Sequence, residues 1–133
     1  MAQTISVGAK ALVDAAKQEI TEYSVEDVLA RKDNSDVVLV DIRDPRELER
    51  EGQIEGAFRC TRGMLEFWID PESPYHKSVF SEDKEFIFFC AGALRSALAA
   101  KTAQDMGLKP VAHMLGGFAA WKKSGAAIVP PKA

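Results

Sequence analysis

The stretch Glu85-Phe86-Ile87-Phe88-Phe89-Cys90-Ala91-Gly92-Ala93-Leu94-Arg95-Ser96 changes character at its cysteine. Residues 86–89 form a short, continuous aromatic and β-branched run, the pattern of a strand covered on both faces. Residues 96–106 are nearly all strong helix formers, and Gly107 stands where a helix commonly ends in the left-handed conformation. The predicted unit is a buried strand that ends on Cys90 and turns at once into a helix. No proline interrupts the loop, so every residue after Cys90 carries a backbone N–H. A tight loop opening a helix aims several such donors inward, and the helix macrodipole adds about half a positive charge there.

Anions are stabilised at such a point, and a thiolate is an anion. Cys90 is therefore expected to ionise below the free-thiol value of about 8.5, and a fall of about two units corresponds to roughly 2.7 kcal/mol. Arg95, five positions on, adds a full charge for the thiolate or for an anionic substrate. Gly92 is read as the residue whose backbone turn is closed to side chains. The rival reading is an inert core cysteine with Arg95 merely solvated, because cysteine often serves as a small hydrophobe. Loop, helix and arginine together favour the reactive thiol, which requires a sulfur that solvent can reach.

Working outward, 133 residues suffice for one domain with a proper core. A hydrophobic share of 47% and a charged share of 28% are those of a globular chain. The net charge of −3, with no basic block, argues against nucleic-acid or anionic-membrane partners. Cys60 and Cys90 alone make no disulfide framework and lack metal-ligand spacing, so a reducing compartment is expected and no metal. The first twenty residues hold no continuous apolar segment, so neither a signal peptide nor a span is read there, and the cytoplasm is the expected location.

Residues 7–20 place Val7, Ala11, Leu12, Ala15, Ala16 and Ile20 on one face of a weakly amphipathic helix. It is expected to pack on the main domain or on a second copy, making a homodimer. A short strand at 20–23 precedes Ser24 and Asp27, the signature of a helix start. Residues 37–40 are a continuous β-branched and leucine run, as in a central parallel strand. Asp44 as N-cap, Pro45 at the first helical position and Glu47 at the third open another helix, which Gly52 ends. A strand is expected at 54–58, a helical turn at 62–69, a strand at 110–115, a Gly116-Gly117 turn and a helix at 118–123. The organisation is an N-terminal helical extension (1–19), one domain (20–129) and a tail (130–133).

Strands alternating with helices imply a three-layer α/β fold with a mainly parallel sheet. Ligands of such sheets bind beyond the carboxyl ends of the strands, where Cys90 and Asp41 each end one.

These residues resemble the single-domain rhodanese family of sulfurtransferases. The matching blocks are Val40-Asp41-Ile42-Arg43 with Glu47; Gly52-Gln53-Ile54-Glu55-Gly56-Ala57; Cys90 to Ser96; and Leu115-Gly116-Gly117-Phe118-Ala119-Ala120-Trp121 with Gly125. They cover residues 20–129 in the family's order. The resemblance implies a five-stranded, mainly parallel sheet and a persulfide carried on Cys90. A small anionic donor such as thiosulfate would load it, a thiophilic or thiol acceptor would unload it, and no cofactor is needed. It makes Ala91, Gly92, Ala93, Leu94, Arg95 and Ser96 the loop that holds donor and sulfur, with Asp41, Arg43 and Arg62 in support.

Two departures stand out. Gln53 replaces a frequent histidine and is assigned to the fold, and Ala91 replaces the basic residue that often follows the cysteine in thiosulfate users. Arg95 and Arg62 are then left to attract the donor. Segment 62–76 is either a wall of the site or a helix end and loop packed on the sheet. Asp41 and Arg43 either orient the active loop or tie the strand end to Glu47, and Cys60 is either a resolving thiol or core filling. His76 and His113 lack an acidic partner at motif spacing and are given no catalytic role, while Met114, Phe118 and Trp121 are read as packing. The rivals to sulfur transfer are a docking or sulfur-carrier module and a cysteine phosphatase or arsenate reductase. The last usually has five residues between cysteine and arginine, where this chain has four.

Overall fold

The computed structural model describes residues 2–131. In chain order its elements are α1 (Ala9–Lys17), β1 (Thr21–Tyr23), α2 (Val25–Leu29), β2 (Val37–Asp41), α3 (Pro45–Glu51) and β3 (Phe58–Arg59). A 3₁₀ turn at Arg62–Met64 leads into α4 (Leu65–Ile69), and a second at Ser78–Ser81 precedes β4 (Glu85–Phe89). The chain continues with α5 (Leu94–Asp105), β5 (Val111–Met114) and α6 (Gly117–Lys123). The strands form one sheet, ordered β1-β5-β4-β2-β3, in which every pairing is parallel. Among the described residues no helix is long and apolar enough to cross a membrane.

Strand alternation divides the core between two faces. Phe86 and Phe88 join Val40, Ile42 and Leu65 with Ala99, Ala100 and Ala103 of α5 on one side. Ile87 and Phe89 join Leu39, Ala112 and Met114 with α2 and α6 on the other, where Trp121 is wholly buried. Period-2 alternation thus gives β4 two apolar faces, which is why its sequence is an unbroken apolar run. Helices therefore lie on both sides of the sheet.

Local chemistry places the helix starts. Ser24 Oγ accepts the Asp27 N–H at 3.1 Å while Asp27 accepts the Ser24 N–H at 3.2 Å, the reciprocal cap expected of that pair. At α3 Asp44 accepts from the Arg46 N–H at 2.8 Å, and Glu47 accepts from the Asp44 N–H at 3.1 Å.

Two expectations are corrected. Helix α1 does pack on α5, but it buries Val13 and Ala16, while Val7 and Leu12 of the expected face are exposed. The face is set by docking onto a small-residue helix, where the compact Ala16 fits better than leucine. The strand expected at 54–58 starts at Phe58, because Ala57 N–H turns back to Ile54 C=O at 3.2 Å. Gln53 instead exchanges both backbone bonds with Val129, at 2.9 and 2.7 Å, consistent with its assignment to the fold.

Candidate active site

Cys90 is the first residue beyond β4, and the sheet register fixes its neighbours. Ile42 N–H bonds Phe89 C=O at 3.1 Å and Cys60 N–H bonds Asp41 C=O at 2.9 Å. Cys60 and Cys90 therefore flank Ile42 on either side, two strand spacings or about 10 Å apart. That exceeds the Cα separation a disulfide spans, so Cys60 does not bridge to Cys90 in this fold. Burial also pushes the Cys60 thiol up to about 12, which keeps it protonated. Cys60 is core filling.

The turn after Cys90 is made by Ala93, which has φ 74° and ψ 4° and stands at the N-cap of α5. Gly92 has no left-handed φ, and a Cβ built on it meets no atom within 4 Å, so the role expected of Gly92 passes to Ala93. The left-handed residue starts the helix at Leu94, two positions before the predicted start. Ser96 thus lies in the first turn, where backbone N–H groups lack helical partners. Its N–H donates to Cys90 Sγ at 3.3 Å. Among the described residues it is the one loop amide with that contact.

The loop's carbonyls are engaged elsewhere. Phe118 N–H donates to Cys90 C=O at 2.7 Å, and Ala119 N–H to Ala91 C=O at 3.1 Å. This contact with the start of α6 needs glycine at 117: its φ is +60°, and a Cβ there would lie 2.5 Å from Cys90 O and 2.7 Å from Ala91 O. The solvent-reachable sulfur expected from the sequence is not what the fold presents: Cys90 is only 1% exposed, because β4 ends inside the core and the loop closes over the sulfur, while Leu94 at the outer turn is 66% exposed. Ala91, Ala93 and Arg95 are half-buried and Gly92 is exposed.

Arg95 donates two bonds to Glu47, at 2.6 and 3.0 Å. This guanidinium, together with the Asp44 N–H, lowers the Glu47 carboxyl to about 2 despite partial burial. Arg95 is shifted upward in turn, first by Glu47 and also by the nearby Cys90 sulfur. The arginine therefore stands beside the sulfur with its orientation set by α3.

Asp41 and Arg43 form a pair whose side chains are each 1% exposed, joined by bonds of 2.8 to 3.3 Å. The expected tie to Glu47 is not a hydrogen bond. Arg43 bonds the Gly52 carbonyl at 3.0 Å and lies 4.1 Å over the Phe118 ring, acting on Glu47 only through its charge. The pair thus braces the end of β2 against α3 and α6. Arg62 is engaged by Glu66 at 2.9 Å and Thr102 at 3.3 Å. In segment 62–76, Leu65 and Ile69 are buried and Trp68 packs edge-on to Phe58, so it is packed on the sheet.

A cavity of about 410 Å³ borders the loop at Ala91. Arg43, Glu47 and Arg50 line one side, and Phe118, Lys122 and Lys123 the other. Sequence reasoning did not single out these lysines or the Glu47–Arg95 pair. It also gave His113 no acidic partner, whereas Glu22 Oε2 lies 2.8 Å from His113 Nε2 and Ser96 Oγ lies 2.9 Å from Nδ1. The signal for Glu47 was its place as a cap; the partner of His113 becomes visible only once β1 is laid beside β5.

Comparison with known proteins bears on this arrangement. A sulfurtransferase of Allochromatium vinosum is 31% identical over 114 residues, covering 86% of this chain and 96% of that protein. A protein of unknown function from Rhodopseudomonas palustris, described as a possible tyrosine phosphatase, is 63% identical with a TM-score of 0.93. That similarity covers 96% of this chain and 98% of the other. The polysulfide-sulfur transferase homodimer of Wolinella succinogenes is 32% identical with a TM-score of 0.66, over 90% of this chain and 85% of that one. The match to the rhodanese-like domain runs from residue 24 to residue 124, from the N-cap of α2 to the C-cap of α6, taking in every strand except β1. This chain belongs to the rhodanese-like domain family.

Proposed function

We propose that the chain is a sulfurtransferase that moves sulfane sulfur through a persulfide on Cys90. Family membership and the sulfurtransferase relatives support sulfur transfer in general. The observation that carries the finer reading is the Ser96 N–H on Cys90 Sγ, with Arg95 held beside the same sulfur by Glu47. Hydrogen-bond donors and a fixed cation stabilise a sulfur anion, whether thiolate or terminal persulfide sulfur.

With thiosulfate, the Cys90 thiolate attacks the outer sulfur. The new S–S bond forms as the bond to the sulfite group breaks, and sulfite leaves with the electron pair. An acceptor thiolate then attacks the terminal sulfur, forming its own persulfide and returning Cys90 as thiolate. Both steps are displacements at sulfur in a ping-pong scheme and need no external oxidant. The cavity beside Ala91 carries Lys122 and Lys123 on one wall, which supports an anionic donor although the residue after Cys90 is not basic; on the other wall Arg50 is offset by Glu51 at 3.6 Å. Arg62 is occupied by Glu66 and Thr102 and Arg95 is held by Glu47, so the α6 lysines Lys122 and Lys123 are the cations left to draw the donor in, with Arg95 acting on the sulfur itself.

The test is intact mass after incubation with thiosulfate or polysulfide. Wild type gains one sulfur atom and Cys90→Ser gains none. No gain with any sulfane donor overturns the reading in favour of a docking module. Hydrolysis of an aryl phosphate that Cys90→Ser abolishes would favour a phosphatase, the function suggested for the Rhodopseudomonas protein.

A further inference from the structure

His113 has no exposed surface, and sulfur transfer at Cys90 does not call for an imidazole. Yet both ring nitrogens are engaged. Nε2 faces Glu22 at 2.8 Å and Nδ1 faces the Ser96 hydroxyl at 2.9 Å. The parallel register of β1 on β5 sets Glu22 opposite His113, which joins residues 91 positions apart. A carboxylate only accepts, so Nε2 carries the proton directed at Glu22. Burial lowers the His113 pKa from 6.5, against the opposing pull of Glu22, and Lys17 acts in the same direction as burial. The ring is therefore neutral near pH 7, Nδ1 is a bare acceptor, and the Ser96 hydroxyl is committed to it as donor.

Ser96 is also the residue whose backbone N–H meets Cys90 Sγ at 3.3 Å. We infer that Glu22, His113 and Ser96 form a positioning relay that locks the first turn of α5, and so the amide aimed at the Cys90 sulfur, from the β1 edge of the sheet. The relay extends outward, since Lys17 Nζ of α1 lies 3.6 Å from the same Glu22 oxygen. Glu22 and Lys17 both precede residue 24, where the rhodanese-like match begins. The N-terminal segment thus reaches Ser96 through the Glu22–His113 contact, in addition to the packing of α1 on α5. The polarity is one-way: the Glu22 charge fixes the imidazole tautomer, the tautomer fixes the hydroxyl, and the hydroxyl fixes the serine that presents the amide. As a role in catalysis this rests on the reading of Cys90 as the sulfur carrier.

The experiment combines spectroscopy with kinetics on the wild-type chain and Glu22→Ala, a change at a partly exposed position. Nitrogen-15 shifts of His113 in wild type show the Nε2–H tautomer at neutral pH. In Glu22→Ala the Ser96 amide exchanges about tenfold faster relative to the Ala103 amide of the same helix. Sulfur loading from thiosulfate falls about tenfold in kcat with KM for the donor unchanged, as expected when a positioned group drifts by a fraction of an ångström. An Nδ1–H tautomer in wild type, or a Ser96 amide that responds no more than Ala103, overturns the relay. If wild type loads no sulfur while the tautomer and amide respond as stated, the relay stands and the sulfur-transfer reading falls.

Discussion

Arg95 and Glu47, 48 positions apart, are joined by two hydrogen bonds of 2.6 and 3.0 Å that fix the guanidinium beside Cys90. Glu47 is at once the third residue of a helix cap and the clamp on a loop arginine. The capping motif of α3 thereby sets the geometry of a loop formed by a different crossover. Removing the arginine tests this division of labour. Arg95→Ala is expected to slow sulfur loading about a hundredfold, the scale of losing one preorganised anion donor. Its effect on stability is expected to stay within about 1 kcal/mol, because the guanidinium is 42% exposed and the pair is partly solvated. Single-turnover loading and thermal melting check both, and equal loading rates would reject the role.

Acid titration follows from two depressed values. Glu47, ordinarily at 4.5, sits at about 2 in the fold, so its pairing contributes fully above pH 4.5 and is lost as pH falls through 2. His113 lies below its ordinary 6.5, so its contribution is complete above that value and fades as pH falls through the lower one. Melting temperature should therefore decline on acidification from about pH 6.5, with a steeper fall below about pH 4.5 that Glu47→Gln flattens. A Glu47→Gln profile parallel to wild type in the acid limb would contradict this.

The buried Asp41–Arg43 pair is expected to behave as a structural brace. Arg43→Met strands the Asp41 charge in the core and should cost about 3–5 kcal/mol in urea unfolding. The double change Asp41→Leu with Arg43→Met should recover most of that loss, since no unpaired charge remains. A double variant as unstable as the single one would show that shape, not charge, sets the cost.

Turn geometry gives a prediction opposite to the one read from composition. Ala93→Val puts a β-branched residue in the left-handed region and should destabilise by about 1–2 kcal/mol, whereas Gly92→Ala should be nearly neutral. Gly117→Ala drives a Cβ into the Cys90 and Ala91 carbonyls and should both lower stability and slow sulfur loading. Thermal melts of the three variants separate these cases.

Thiol labelling distinguishes the two cysteines. Iodoacetamide should modify Cys90 in the native chain, more slowly than a free thiol because the sulfur is sunk, and leave Cys60 untouched until the chain unfolds. Peptide mapping reads the outcome, and native modification at Cys60 would contradict its placement as core.

The strand, cysteine, loop and helix were legible from composition alone because β4 and α5 differ so sharply in residue type. The caps at Ser24 and Asp44 were legible for the same local reason. What escaped reading depended on register. Nothing near His113 in the chain announces Glu22, and nothing near Arg95 announces Glu47; each partner arrives from another strand or helix. The left-handed turn was assigned to Gly92 because glycine tolerates it most easily, yet the bonds from α6 to Cys90 and Ala91 accompany a left-handed alanine. The face of α1 escaped because an amphipathic pattern does not reveal what it will meet.

Placing β1 next to β5 has a consequence for synthesis on the ribosome. Glu22 leaves the exit tunnel long before His113, and until then the first strand has no neighbour to register against. The central strands can pair earlier, but that edge stays open until β5 has emerged. Loop-closure entropy then opposes the joining of segments 91 residues apart, which makes this edge a late event in folding. A nascent chain stalled before residue 111 would present β4 with one side unpaired, an adhesive surface suited to chaperone capture.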